Sequence, residues 1–240
     1  MSEHAPQGTR GRLASAAAAL FADRGFHGTT IRDIALRAGA NVAAGHYHFG
    51  SKEELYLEVL RAQFAAIQDL LRAHGANPPE VDLDGIPRSA LIEVLKARIA
   101  IMLDVLLGPP PGLHGTLMQR EMCDPSAALP AIVGEFIEPH LQELEQILAR
   151  LEPRLSRKQL RRVAFSIVGQ AFFYRLTRPA MLLLMGVREY PRGFSRELAE
   201  HIVEFSLGGM ARLAAAARRG ASAARREASG ARERRRRHAS

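Results

Sequence analysis

The chain has 240 residues, of which 47% are hydrophobic, and one cysteine, Cys123. That apolar content builds a substantial core and excludes a wholly disordered chain, while a lone thiol excludes an intrachain disulfide. The formal net charge is +8, yet residues 218–240 carry nine arginines against Glu227 and Glu233, a local +7 that leaves +1 for the rest. The basic character therefore belongs mainly to an Ala/Arg/Ser tail, which reads as solvated and disordered and does not by itself imply nucleic-acid binding. The polar start MSEHAPQGTR has no secretory h-region, and the apolar stretches 163–174 and 180–187 are too short or too interrupted to cross a bilayer. A cytoplasmic protein without a membrane span is expected.

Apolar residues recur at spacings of three and four along the chain, and Val, Ile and Thr never alternate over a strand length, so the predicted fold is all-α. Leu13, Ala16, Ala17, Leu20 and Phe21 form the stripe of a first helix over 9–24, stopped at Gly25. Thr30 to Asp33 has the form of a capping box opening a short helix over 31–38, with Ile31, Ile34, Ala35 and Ala38 apolar and Gly39 as its end. Asn41 is the N-cap of a third helix to about residue 47, and Ser51-Lys52-Glu53-Glu54 opens a longer one over 51–73.

After a turn-rich linker over 75–87, with Pro78-Pro79 and Asp84-Gly85, helices are predicted near 88–107, 115–122, 129–151, 156–178 and 195–218. Gly108 to Gly112, Asp124-Pro125, Glu152-Pro153 and Arg178-Pro179 separate them. The domain organisation read from these breaks is a head over 1–50, a connecting helix over 51–73, a helical second domain over 74–217 and the tail over 218–240.

A short helix, a glycine turn and a second short helix make a helix-turn-helix, whose second helix enters a DNA major groove. Val42, Ala43, Ala44 and Gly45 lack bulk, which would let that helix sit deep in the groove. Val42, Ala43, Ala44 and His46 are the candidate base-reading residues, with Asn41 at the helix start. Tyr47 and His48 can donate to phosphates, and Lys52 with the free amides of the following helix adds backbone contacts. Phe49 is a core residue. Gly45 inside the reading helix costs roughly 1 kcal/mol against alanine, so the sequence predicts a helix that orders fully on DNA. A metal site at His46 and His48 is disfavoured, because residues two apart on a helix face different ways.

The stretches "AAAALFADRGFHGTT", "IRDIALRAGA" and "HYHFGSKEELY" together resemble the TetR family of transcriptional regulators over residues 12–60. The run "AGANVAAGHYHFGSKEELYL", with "QREMCDPSAAL" and "GQAFFYRLTRP", is most similar to the CecR-like branch. The resemblance implies an N-terminal three-helix helix-turn-helix domain, a helical ligand-binding and dimerisation domain, and a homodimer that reads palindromic double-stranded DNA. It also implies Thr30, Tyr47, His48 and Lys52 as backbone contacts. Ala43-Ala44-Gly45-His46 departs from the commoner pattern and puts His46 where the family usually has a tyrosine.

In the second domain, Leu160, Val163, Ile167 and Gly169 on one helix, and Leu198, Ile202, Phe205 and Met210 with Gly208-Gly209 on another, could fill the subunit's own core or pair with a second copy. The resemblance favours pairing through the helices near 156–178 and 195–218. Phe64, Met102, Met118, Met122, Phe136, Phe172 and Phe173 suit a small apolar or amphipathic effector, with His140 and Gln170 as polar contacts. Arg120 and Glu121 are further candidate polar contacts, and an internal ion pair or a solvated face suits each of the four better. No cofactor and no metal are expected.

Two other classes compete. A carboxylate-bridged helical enzyme needs Glu-x-x-His pairs, and no histidine here has Glu three residues before it; zinc spacing, G-x-S-x-G and a phosphate loop are also missing from the sequence. A sequence-indifferent DNA or anionic-surface binder driven by the arginine tail would show steep salt dependence and no sequence preference.

Overall fold

The computed structural model describes residues 8–76, 85–108 and 113–237, which fold into helices α1 to α11 with no strand among them. The expected turns at Pro78-Pro79 and Asp84, the prolines at 109–111 and the polar start over 1–7 lie outside the described residues. The first helix, α1 (Thr9–Arg24), buries Leu13, Ala17, Leu20 and Phe21. Thr29 is buried too, and its hydroxyl reaches Gly25 O at 2.8 Å and Leu20 O at 3.2 Å, fastening the end of α1 to the turn that leaves it.

Thr30 caps α2 (Ile31–Arg37) by the reciprocal box that the sequence predicts: Thr30 Oγ1 accepts from Asp33 N and Asp33 Oδ2 accepts from Thr30 N, each at 3.1 Å. The chain then turns through Gly39, at φ 61°, a left-handed conformation that favours glycine. Asn41 Oδ1 accepts from Ala44 N at 2.7 Å and opens α3 (Val42–Phe49), two residues longer than expected. Ser51 starts α4 (Lys52–Ala73) in the same manner, accepting from Glu54 N at 3.1 Å.

The structure corrects the role given to Gly45. It is buried, and a Cβ built on it would lie 3.0 Å from Ile31 Cγ2. Its missing side chain therefore sets how closely α2 and α3 approach, and does not open room on the outer face. α3 is helical over its full length, and burial of Gly45 and Phe49 supports it where propensity is weak.

The second part of the chain comprises α5 (Arg88–Leu107), α6 (Leu113–Cys123), α7 (Leu129–Ile132), a π-helical turn (Val133–Ile137), α8 (Glu138–Leu151), α9 (Arg157–Leu176), α10 (Arg178–Met185) and α11 (Phe194–Arg237). Three elements differ from the sequence-based expectation. The helix expected over 129–151 is interrupted by the π-turn. Arg178-Pro179, read as a break, instead starts α10, since proline is tolerated in a first helical turn where its missing N–H costs nothing. The backbone of the basic tail, expected to be disordered, continues α11 as helix through Arg237.

Two apolar clusters carry the packing. The first joins α1 to α4 with Leu117 and Met118 of α6, Ala128, Ile132 of α7 and Phe136 of the π-turn. The core of the head thus extends well beyond residue 50. The second cluster joins α5, α8, α9 and α11. Buried Arg98 of α5 donates to Ala76 O at 3.0 Å and pairs with Glu143 of α8, while Arg161 bridges α9 to Glu138 and Glu145 of α8.

Leu160, Val163, Ile167, Leu198, Ile202 and Met210 all lie in the second cluster, so these stripes fill the subunit's own core. The same helices expose a different stripe, Phe165, Gly169, Phe173 and Leu176 on α9 and Phe205, Gly208, Gly209 and Leu213 on α11. α10 buries none of its residues, and Leu183 and Leu184 are exposed.

α4 meets α8 at a polar joint. His140 Nδ1 lies 2.7 Å from Phe136 O, and a carbonyl only accepts, so Nδ1 carries the ring proton; Nε2 then accepts from Gln68 Nε2 at 2.9 Å. Burial lowers the His140 pKa from its ordinary 6.5 and keeps the ring neutral. The folded chain binds this proton less readily than the unfolded chain, so stability falls as pH drops below 6.5 toward the folded pKa. Denaturant unfolding should show stability decreasing between about pH 7 and pH 5, with a component that His140→Gln removes; an unchanged slope in the variant would mean that the ring stays accessible to protons. At the α2–α3 contact, Gly45→Val should cost about 1–3 kcal/mol in the same measurement, because a branched side chain must push Ile31 aside.

Candidate nucleic-acid interface

The helix-turn-helix presents one face of α3 to solvent. Val42, Ala43 and His46 are exposed, and Tyr47 is 86% exposed, the most exposed large apolar or aromatic residue of this head. A large aromatic left this open on a well-anchored helix carries no packing role; its hydroxyl is free for a partner. The anchoring lies underneath. Phe49 is buried with the Arg10 guanidinium 5.3 Å above its ring, and Ala40 and Ala44 pack against the first cluster.

The residues expected at DNA divide into three groups. Val42, Ala43, His46 and Tyr47 share the outer face. Thr30, also exposed, and Asn41 sit at the two helix starts with side-chain oxygens engaged in caps, Thr30 Oγ1 lying 2.6 Å from Asp33 Oδ2. Asp33, held below the ordinary carboxylate pKa first by that bond from the Thr30 side chain, stays ionised and keeps the cap intact. His48 is half-buried, with its ring edge-on to Tyr47 at 5.2 Å.

Two expectations are corrected. Ala44 is half-buried and faces the core, not the outer surface. Lys52 is turned inward: its ammonium donates to Phe26 O at 3.1 Å and Thr29 O at 3.2 Å and lies 4.1 Å from the Phe26 ring centre. It is a bolt between α4 and the α1–α2 loop, and a phosphate would have to compete with two carbonyls for it. His46 Nδ1 lies 3.1 Å from Gly50 O, which fixes the ring with Nδ1 protonated and leaves Nε2 outward.

Sequence reasoning passed over Arg32, Leu36 and Arg37, all exposed on α2 beside the turn. The signal was present, since they are the residues of that helix out of phase with Ile31, Ile34 and Ala35.

The candidate ligand residues scatter. Phe64 and Phe136 stack face to face at 4.3 Å, with His140 at 5.5 Å from Phe64, and Met118 lies in the same cluster. Met102 packs instead against the second cluster, Met122 and Phe173 are exposed, and Gln170 donates to Ser166 O of its own helix at 3.2 Å. A cavity of about 730 Å³ lies elsewhere, between the end of α4, α5 and the start of α11, and Leu70, His74, Lys96, Asp104, Arg196 and Glu200 are among its lining. None of the nine expected ligand residues lines it.

α6 joins the head to the second domain. Glu121 is 1% exposed and accepts from Tyr56 Oη, Ser126 N and Ser126 Oγ, each at 3.0 Å. Burial, with the Glu121 carboxylate beside it, pushes the Tyr56 phenol pKa up, so its proton stays on this bond. Next to it, Arg120 Nε donates to Ala22 O at 2.8 Å and another guanidinium nitrogen to Asp23 O, satisfying carbonyls in the last turn of α1.

Among the described residues no helix is long and apolar enough to cross a membrane, and no group of three or more His, Cys, Asp or Glu could hold a metal ion.

Known proteins share this arrangement. Residues 13–59 match the family of bacterial regulatory proteins named tetR, and residues 91–210 match the C-terminal domain of the HTH-type transcriptional dual regulator CecR. The Shigella flexneri CecR regulator is 30% identical over 179 residues, covering 73% of this chain and 79% of that protein. The HTH-type transcriptional repressor KstR2 of Mycobacterium tuberculosis H37Rv is 45% identical over 75 residues, a stretch spanning 37% of its length. In three dimensions, the ketosteroid transcriptional regulator KstR2 of Mycobacterium tuberculosis superposes with a TM-score of 0.55 at 20% identity, over 85% of this chain and 96% of that one. The exposed α3 face, the capped helix-turn-helix beneath it and both halves of the sequence agree: the chain belongs to the TetR family of DNA-binding transcriptional regulators, on its CecR-like branch.

Proposed function

We propose that this regulator is a homodimeric repressor that reads a palindromic operator through α3 and is released by a small-molecule effector. The observation that carries the reading is Tyr47, almost fully exposed on a short helix whose opposite side is locked by Gly45 and Phe49. Val42, Ala43 and His46 Nε2 face base edges, small apolar groups meeting thymine methyls and the ring nitrogen accepting a hydrogen bond. Tyr47 and His48 meet phosphates, and Arg32 and Arg37 add cations that the head needs once Lys52 is committed inward.

Dimer formation is supported by the exposed α9 and α11 stripe. Phe165, Phe173, Leu176, Phe205 and Leu213 are large apolar residues on one pair of helices, and a Cβ on Gly169, Gly208 or Gly209 would meet nothing within 4 Å. A second copy placing its own pair against this face forms a four-helix interface with close backbone approach at the glycines. Two heads so joined must meet half-sites about 34 Å apart or a multiple of it, so a small shift of one head against the other lowers affinity.

The effector acts through α6. Tyr56–Glu121 and Arg120 fasten that helix to α4 and α1, so a ligand that prefers one position of α6 changes head separation. One structural relative is AibR in complex with isovaleryl coenzyme A and operator DNA, so in that protein the fold accommodates both a ligand and DNA.

Selection from random duplex DNA at about 150 mM salt, with the full chain and a form ending at residue 217, tests the reading. Both forms should recover one two-fold-symmetric motif. Recovery of no motif, with binding lost on truncation, would leave a sequence-indifferent arginine tail. On the recovered operator, Tyr47→Ala should weaken binding about tenfold across all half-site sequences; unchanged affinity removes Tyr47 from the interface.

A further inference from the structure

The core-facing stripe of α9 ends in two arginines. Leu160, Val163, Ala164, Ile167 and Ala171 all point into the second cluster. Arg175 comes one turn later on the same face and Arg178 three residues after it, at the start of α10. Both are half-buried, and Arg175 reaches from the α9–α10 junction to the end of α5 and the start of α6.

Their surroundings lack the charge that such a pair requires. Arg175 donates to Leu106 O at 3.3 Å and to Thr116 Oγ1 at 2.8 Å, both neutral acceptors. Arg178 lies 5.8 Å from the Tyr190 ring centre. Among the described residues neither forms an ion pair, and the Nε of each is buried without a hydrogen-bond partner. Partial burial, and after it the positive charge of Arg178, lower the Arg175 pKa. Elsewhere Arg98 pairs with Glu143 and Arg161 with Glu138 and Glu145, while half-buried Arg120 has no carboxylate among the described residues but spends its donors on the carbonyls that end α1. Two neighbouring guanidiniums, each with a buried Nε lacking a partner and neither with a carboxylate, leave donor capacity and positive charge that an anion would satisfy.

We infer that Arg175 and Arg178 are the anion-recognising end of the effector site, and that the effector is an amphipathic organic anion, a carboxylate or phosphate head on an apolar body. Two planar guanidinium forks suit the paired oxygens of either head. Half-buried Phe172 and the partly buried, stacked Tyr190 and Phe194 rings, 4.6 Å apart, give the body an apolar bed. A head drawing Arg175 from Thr116 also loosens the start of α6, the helix that holds α4 and α1. This inference rests on the effector-release reading and deepens it.

The test is isothermal titration of the full chain, without DNA, with decanoate, decyl phosphate and decanol. At least one of the two anions should bind about tenfold or more tightly than decanol, and the tighter one identifies the head. Arg178→Met should weaken that anion about tenfold while leaving decanol binding and thermal midpoint unchanged, and Arg178→Lys should recover part of the loss. Equal binding of decanol and the anions, unchanged anion binding in Arg178→Met, or no binding of either anion would each overturn the inference. Operator affinity of the ligand-free protein is a separate measurement, so loss of the regulator reading and loss of the anion site are told apart.

Discussion

Glu121 is a carboxylate taken almost wholly out of water, and a charge in that position costs several kcal/mol unless donors surround it. Three do: the Tyr56 hydroxyl of α4, and the amide and hydroxyl of Ser126 in the turn after α6. The bond fixes α4 against α6 at one rotation and height, because sliding either helix would strip a buried charge of its partner. Around it the first apolar cluster runs without a break from α1 through α4 into α6 and α7. The DNA-reading head is therefore rigidly continuous with the helix at the entrance to the second domain. Where a hinge would let the head drift, this joint makes its position a property of the second domain.

The rest of the architecture depends on that continuity. Arg120 ties α6 to the end of α1, Lys52 ties α4 to the loop before α2, and Gly45 lets α3 lie close on α2. Each contact is a separate chemistry, and together they fix α3 relative to α6 through α1, α2 and α4. On the other side of α6, Thr116 meets Arg175 and hence the arginine pair of α9 and α10. A path of named contacts thus runs from an unsatisfied cationic site to the exposed Tyr47 face. The path is spatial; its two ends exert coupling only insofar as a ligand binds one arrangement of α6 better than another.

Much of this was legible from the sequence alone. Caps, glycines and the three-and-four spacing located α1 to α5 within a residue or two, since those signals are local: Thr30 with Asp33, Asn41 with Ala44, Ser51 with Glu54. The same local chemistry, read through the family resemblance, identified the helix-turn-helix and hence the regulator. It also picked Val42, Ala43, His46 and Tyr47 for DNA, four residues that share one exposed face, but picked with them Ala44 and Lys52, which turn inward.

What tertiary structure alone decided is the direction in which a suitable residue points. Lys52 has the chemistry of a phosphate contact and spends it on Phe26 O and Thr29 O, 26 and 23 residues away in sequence. Gly45 looked like a groove-fitting residue and is a helix-packing one, because Ile31 stands opposite it only after α2 and α3 cross. The apolar stripes of α9 and α11 were visible, but which stripe faces inward depends on where α5 and α8 lie. Met102, Met118 and Phe173 are equally apolar in sequence and end in three different places. Arg175 and Arg178 gave no signal at all, since an arginine reads as solvated until the fold turns it onto a buried face without a carboxylate. Hydrogen-bond capacity, charge and spacing belong to the sequence; the partner that uses them is set by packing over long separations in the chain.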